Sequence, residues 1–333
     1  MSEPVGMVPG ATTQEPNGQP HDALFRLVFG DPDNAASELR SVLPPRLTAR
    51  IDLDNLRPQP GTFVDPELRH RHIDLLFRTT TDNSDAYLYL LVEHQRTSDP
   101  AMALRMMTYQ TRIWEHHRIT EGTAASAPLP LIIPIVIYQG HRHWTAATDI
   151  ADLIDNDLKA DAGDLLPHVR YLVDDLTLLD DAALRARPLT SAARITFVVF
   201  ARAPGDDDVT TWLDQWFDDF IRLTALWNHE RLLKGIFTYL LKTSTTPEEH
   251  LIRFAGTLGP TAQEAAVTTA EQLHDRGYAT GQSSLLTNML AVKFGALDND
   301  THDRVAHATQ EQITLWSSRL VQGAETLDDV FRS

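Results

Sequence analysis

Two carboxylates in the first third of the chain stand where apolar runs meet polar residues: Asp74 in HIDLLFRT and Glu93 in AYLYLLVEHQ. Both runs read as strands, and TTDNSD between them has the composition of a turn. A hairpin closed between Asn83 and Ser84 makes Asp74 and Glu93 direct cross-strand partners, with Cβ atoms about 4.5–5.5 Å apart. Carboxylates that close repel unless a proton or a cation lies between them. Side chains alternate along a strand, so Gln95 shares a face with Glu93 while His94 points the other way. One face of the hairpin end thus offers Asp74, Glu93 and Gln95. Oxygen donors at this spacing suit Mg²⁺, which takes one or two carboxylates and keeps several waters. The competing reading is a pair of solvated strand ends, since a one-residue change in the turn undoes the pairing.

The segment after this strand, SDPAMALRMMTYQTRIWEHH, reads as a helix to about His117, with Asp99 as N-cap and Pro100 at its first position. Arg105, Tyr109, Arg112 and His116 fall on one polar stripe, and Met102, Met106 and Ile113 on a neighbouring face that packs on a sheet. A cationic stripe beside two carboxylates suits a phosphodiester, although a solvated helix face has the same pattern.

The elements that must hold these residues can be read along the chain. HDALFRLVFG and NAASELRSVLP are helical, the second stopped by Pro44–Pro45. ARIDLDNL alternates and reads as a first strand, HIDLLFRT as a second and AYLYLLVEHQ as a third. LIIPIVIY is a strand buried on both faces, the kind found in parallel pairs, and HVRYLVDDL is one more. From about residue 180 the pattern is helical. SLLTNMLAVKF ends at Gly295, a natural C′ residue, and Thr309/Gln312 and Thr326/Asp329 have capping-box spacing. The expected division is a disordered tail over 1–20, a core over 21–180, a helical extension over 181–282 and a helical tail domain over 283–333.

Composition bounds the chemistry. The 333 residues include no cysteine, which removes disulfides and thiolate chemistry. No secretory leader and no apolar run of about 20 residues is visible, so a cytoplasmic protein without a membrane segment is expected. Net charge is −17, which argues against a surface that grips nucleic acid everywhere. The charge is uneven: residues 1–145 carry 13 Arg and 17 acids, and all four lysines (Lys159, Lys234, Lys242, Lys293) follow them. HRHIDL and HRHW have histidine spacings seen in zinc sites but lack a third ligand, and GYATG lacks the strand–loop–helix setting of a phosphate cradle. Trp212, Trp216, Phe217 and Phe220 have helical spacing and read as packing.

The order helix, strand, strand, strand, helix, strand is that of the PD-(D/E)XK nuclease superfamily, with an Asp on strand two and Glu-x-Lys on strand three. HDALFRLVFGDP, LRHRHIDLLFR, YLYLLVEHQRTSDPAMALRMMTYQTRIW and PIVIYQG together resemble the recombination-promoting nuclease (Rpn) family, also described as YhgA-like putative transposases. LLTNMLAVKFG through TLDDVFRS resembles the helical tail of many relatives. The resemblance covers most of 21–175 and about 283–333. It implies an α/β fold: a restriction-endonuclease-like core of αβββαβ order, a mixed sheet flanked by helices, with a helical C-terminal region. It also implies a Mg²⁺-dependent DNA endonuclease, open to other divalent cations and linked to recombination or to mobile-element conflict.

By that resemblance Asp74 and Glu93 ligate the metal, joined by the backbone carbonyl of His94. Gln95 stands where the superfamily has a water-orienting lysine, as it does in relatives, and leaves Arg96 or Arg105 to supply positive charge. Arg105, Tyr109 and Arg96 are the expected phosphate contacts. Arg96 replaces the family's usual Ser, and Ile73 the usual Pro before the metal Asp. Asp22 matches an acidic position of the family and is either a third, weaker metal contact or an N-terminal helix charge. A homodimer is expected from chemistry, since a double-strand break needs two cuts. The alternative function is a catalytically degenerate DNA-binding protein or a protein-interaction scaffold, motivated by the missing lysine and the acidic balance.

Overall fold

The computed structural model describes residues 20–60, 73–81, 85–93, 98–140 and 142–332, without the side chains of residues 73, 74, 85 and 89–93. The expected tail over 1–20 thus lies outside the described residues except for Pro20. The chain divides into two compact units, one ending at His250 and one beginning at Leu251.

The first unit opens with α1 (Pro20–Phe29), α2 (Pro32–Val42) and α3 (Pro45–Thr48). Then come β1 (Arg57–Gln59), β2 (Ile73–Thr80), β3 (Asp85–Glu93), α4 (Met102–Glu121) and β4 (Leu131–Tyr138). After α5 (Asn156–Ala162) and β5 (Leu172–Asp175) the unit is helical: α6 (Asp181–Ala186), α7 (Ser191–Arg202), α8 (Thr210–Leu213), α9 (Phe217–Thr224) and α10 (His229–Thr243). The helix α11 (Glu248–Leu258) spans the division.

The sheet order is β1-β2-β3-β4-β5, antiparallel for the first two pairs and parallel for the last two. The apolar β4 is interior and parallel to both neighbours, as its composition demands. Alternation along the strands builds two layers. On one face Leu76, Tyr87, Ile132, Val136 and Tyr138 meet Met102, Met106, Tyr109 and Ile113 of α4. On the other, Phe77, Leu88, Ile133 and Ile135 meet Ala35, Ala36 and Leu39 of α2. Helices α1, α7 and α10 pack on one another, joined by the Phe25, Phe29 and Phe197 ring stack. Residues 181–250, which the sequence reading set apart in an extension, therefore contribute α7 and α10 to the layer around α1. Trp212, Trp216 and Phe220 are core residues here.

Two strand expectations change. ARIDLDNL is not a strand: Ile51 makes one bridge to Thr81, a turn over Leu53–Asn55 follows, and the first strand is Arg57–Gln59. The reason is burial, because Leu53 and Leu56 drop into the α2 layer and the chain must turn to place both. The hairpin register also differs from the expected one. Asp74 pairs with Leu91 and Ile73 with Val92, so Asp74 and Glu93 are not direct partners. The hairpin pairing closes at Thr80–Asp85, which slides the partner of every β2 residue by two. A slide of two preserves the face.

In the second unit α12 (Pro260–Phe294) ends at Gly295, whose φ of 87° suits glycine, and α13 (Asn299–Ala306), α14 (Gln310–Val321) and α15 (Leu327–Phe331) follow. Leu286, Leu290, Val305, Ile313, Trp316, Leu320, Val330 and Phe331 form its core. Both expected capping boxes are present. GYATG lies inside α12, so it forms no phosphate-binding loop. No described helix is long and apolar enough to cross a membrane.

Candidate active site

Because β3, β4 and β5 run parallel, their C-terminal ends share one edge of the sheet. Glu93 is in register with Tyr138, and Tyr138 with Asp175. Antiparallel β2 brings its first residues to the same edge, Ile73 beside Val92 and Asp74 beside Leu91. Position 93 lies two beyond 91, so residues 74 and 93 are diagonal neighbours at the same pleat parity. Such diagonal positions are about 7–8 Å apart. Leu76 and Tyr87 share that parity and sit in the α4 layer, which assigns positions 74 and 93 to the α4 face.

Helix α4 crosses this face antiparallel to β3. Arg78 pairs with Glu121 at 2.7 Å and Tyr87 bonds His117 at 3.1 Å, which fixes the helix C-terminus at the far end. Its first turns therefore stand at the carboxylate edge. There Ser98 bonds Thr145 at 2.9 Å, tying the segment after β3 to the loop after β4. Asp99 accepts the Ala101 amide at 2.8 Å, with Ala101 itself at the N-cap position. Its other oxygen meets the Arg105 guanidinium at 2.6 Å.

Arg105 is also 3.4 Å from the Tyr109 hydroxyl. Tyr109 is only 1% exposed, a core residue rather than part of an outward stripe. It belongs to the same buried cluster as Met102, Met106 and Ile113, so the polar stripe expected along α4 is interrupted. His94, Gln95 and Arg96 lie outside the described residues. Among the described residues no group of three His, Asp or Glu side chains could hold a metal. His143 of HRHW bonds Thr177, and the residue of structural weight in that motif is Trp144. Its ring meets Tyr138 edge-on at 4.9 Å and its amide bonds Asp175 at 2.7 Å.

Helix α1 reaches the same edge. His21 is buried, and its Nε2 lies 2.7 Å from the Tyr239 hydroxyl and 3.2 Å from the Gln139 amide nitrogen, which itself donates to Phe200 O. Gln139 directly follows β4, which sets the first turn of α1 at the strand ends. Burial pushes the Asp22 carboxyl up to about 6, with Arg26 one turn on pulling it back.

Beneath the edge, on the α2 face, Asp174 takes both Arg187 terminal nitrogens at 2.7 Å. Glu38 is 0% exposed and 3.7 Å from the same guanidinium. Burial first, and then the charge of Asp174, push the Glu38 carboxyl well above the usual range. A proton on Glu38 is what lets it lie beside Asp174.

Residues 19–230 match the family model described as "Putative transposase, YhgA-like". The chain belongs to this family. Recombination-promoting nuclease RpnA of Escherichia coli K12 is 28% identical over 80% of this chain and 87% of its own length. Recombination-promoting nuclease RpnD of Escherichia coli O157:H7 is 29% identical over 77% of this chain and 94% of its own. The K12 protein named inactive recombination-promoting nuclease-like protein RpnE is 25% identical over 90% and 96%. No solved structure matches the chain. The resemblance drawn from the motifs is thus borne out at the level of the Rpn/YhgA-like family.

The sequence motifs drew attention to Asp74, Glu93, Arg105 and Tyr109. They did not reveal the Asp99 clamp on Arg105, the Trp144–Asp175 contact or the His21–Gln139–Tyr239 junction. Only Asp99 had a local signal, standing six residues before Arg105.

Proposed function

We propose that this Rpn/YhgA-like protein is a metal-dependent DNA endonuclease working at the β2–β3–β4 edge. The observation that carries this reading is the placement of Asp74, Glu93 and the start of α4 at one edge and on one face. The run of helices α1, α2 and α3 followed by β1, β2, β3, α4 and β4 supports a restriction-endonuclease-like core of PD-(D/E)XK type. The names of RpnA and RpnD support the nuclease reading.

The donor set fits Mg²⁺: two carboxylates, Asp74 and Glu93, with the His94 carbonyl as a third hard oxygen. When bound, such a cation lowers the pKa of a water ligand and offsets charge on the phosphate. The chain's own residues supply the rest. Gln95 accepts from and donates to the attacking water without adding charge. Arg105 is the phosphate donor, with Arg96 as a second candidate from the sequence. The Arg105 guanidinium is already neutralised by Asp99, so a phosphate must take the place of that carboxylate. Tyr109, being buried, orients Arg105 through its hydroxyl rather than reaching the substrate itself.

The test is nicking of supercoiled plasmid by the full chain with Mg²⁺, with EDTA, and in Asp74→Ala and Glu93→Ala. Nicking lost in EDTA and in both variants is the expected result. A folded protein that never nicks with Mg²⁺, Mn²⁺ or Co²⁺ would overturn it. The absence of lysine before Lys159 and a relative named inactive favour one second reading, a DNA binder with a degenerate site. That protein would bind plasmid in a salt-sensitive way without cutting it.

A further inference from the structure

Of the six tryptophans in the chain, Trp227 alone stands clear of the protein, 91% exposed between α9 and α10. The others are buried or half-buried. Its turn is pinned: Ala225 N bonds Arg222 O, Leu226 N bonds Leu223 O, and His229 N bonds Leu226 O. The held backbone presents the flat face of the indole to water, where a planar partner can stack on it.

The surroundings say what kind of partner fits. The stretch from Ile221 to Lys242 holds four cations, Arg222, Arg231, Lys234 and Lys242, against one acid, Glu230, in a protein of net charge −17. It also contains two of the chain's four lysines. On α10 the cations are not scattered. Arg231, Lys234 and Lys242 recur with Thr238 at i, i+3, i+7 and i+11, one narrow stripe. The opposite face buries Leu232, Leu233, Ile236, Phe237 and Leu240. All three cations are exposed, and none forms an ion pair among the described residues. The stripe is about 16 Å long at 1.5 Å per residue. Its Lys242 end lies within a turn of Tyr239, which bonds His21 at the strand edge. Its other end, Arg231, stands four residues after Trp227.

We propose that the α10 stripe and Trp227 form a track for single-stranded DNA, leading from the strand edge to a stacking platform for an unpaired base. The choice of DNA rests on the nuclease reading; the choice of a single strand rests on the exposed indole. A duplex keeps its bases stacked internally, whereas an unpaired base offers a free π-face to Trp227. The phosphates of the same strand match a one-sided row of cations.

Binding of the full chain to fluorescein-labelled oligo(dT), and to a hairpin duplex of equal length, is measured by anisotropy across a salt series. Expected for Arg231→Ala/Lys234→Ala/Lys242→Ala is a log–log salt slope shallower by about 2, at roughly 0.7 per single-strand phosphate. Trp227→Ala should weaken oligo(dT) binding about tenfold while leaving duplex binding unchanged, and Trp227→Phe should retain most of it. Wild type that ignores oligo(dT), or variants that bind it as wild type does, overturn the track. So does a preference of the stripe for phosphatidylserine vesicles over oligo(dT). Plasmid nicking run in parallel separates the two ideas. Intact Glu93-dependent nicking with unchanged oligo(dT) binding in the variants removes the track alone.

Discussion

Replacing Arg187 by alanine tests how the carboxylate edge is held from beneath. Arg187 gives two nitrogens to Asp174, each at 2.7 Å, and lies 3.7 Å from Glu38. Asp174 is 5% exposed. Removing the guanidinium leaves a carboxylate dry and unpaired, and loss of one partner from a buried pair costs about 3–5 kcal/mol. In a unit of this size each kcal/mol moves the Tm by about 2–4 °C, so the expected fall is on the order of 6–20 °C. The sign of the pH dependence follows. Arg187 pulls the Glu38 carboxyl down, so without it the folded Glu38 lies further above its unfolded value, and an acid raised in the folded state loses stability as pH rises between the two values. The deficit should therefore be larger at pH 8 than at pH 5. Calorimetry at both pH values measures it and resolves the two units, which need not melt together. Asp175, the next residue, receives the Trp144 amide, so plasmid nicking should decline alongside stability. A fall below 2 °C at pH 8, or an equal deficit at both pH values, would refute the account by showing that water already serves Asp174.

Three further outcomes are expected. Glu38→Gln removes a group whose folded carboxyl lies well above its usual 4.5, so wild type loses stability as pH rises past that value while the variant does not. Its gain in Tm over wild type should be greater at pH 8 than at pH 5, and a lower Tm at pH 8 would contradict the buried-proton argument. Tyr239→Phe deletes the hydroxyl bonded to His21 Nε2 and should cost about 1 kcal/mol in urea titrations, with faster amide exchange in the first turns of α1. Unchanged exchange there would show that the junction does not hold α1. Asp99→Asn removes the carboxylate that competes with phosphate for Arg105 and should tighten duplex binding by about tenfold, with an unchanged salt slope. Unaltered affinity would mean that Arg105 does not face phosphate.

Short-range patterns made much of this protein legible from residues alone. The apolar runs of β2, β3 and β4, the helix after them, and the caps at Thr309 and Thr326 each follow from periodicity or from a side chain meeting a backbone within four residues. The candidate carboxylates were readable for the same reason: polar residues at the ends of apolar runs are visible without a fold.

Tertiary structure decided how those pieces meet. The pairing that ends at Thr80–Asp85 made Asp74 and Glu93 diagonal rather than opposite, because register depends on where a turn closes and not on strand composition. Packing turned Tyr109 into the core although its helix position also allowed a polar stripe. His21, Gln139 and Tyr239 lie 118 and 218 residues apart, and no local pattern encodes a hydrogen bond across such separations. The exposure of Trp227 belongs to the same class. Its residue type predicts burial, and only the placement of α9 and α10 leaves it in water, at the end of a cationic stripe.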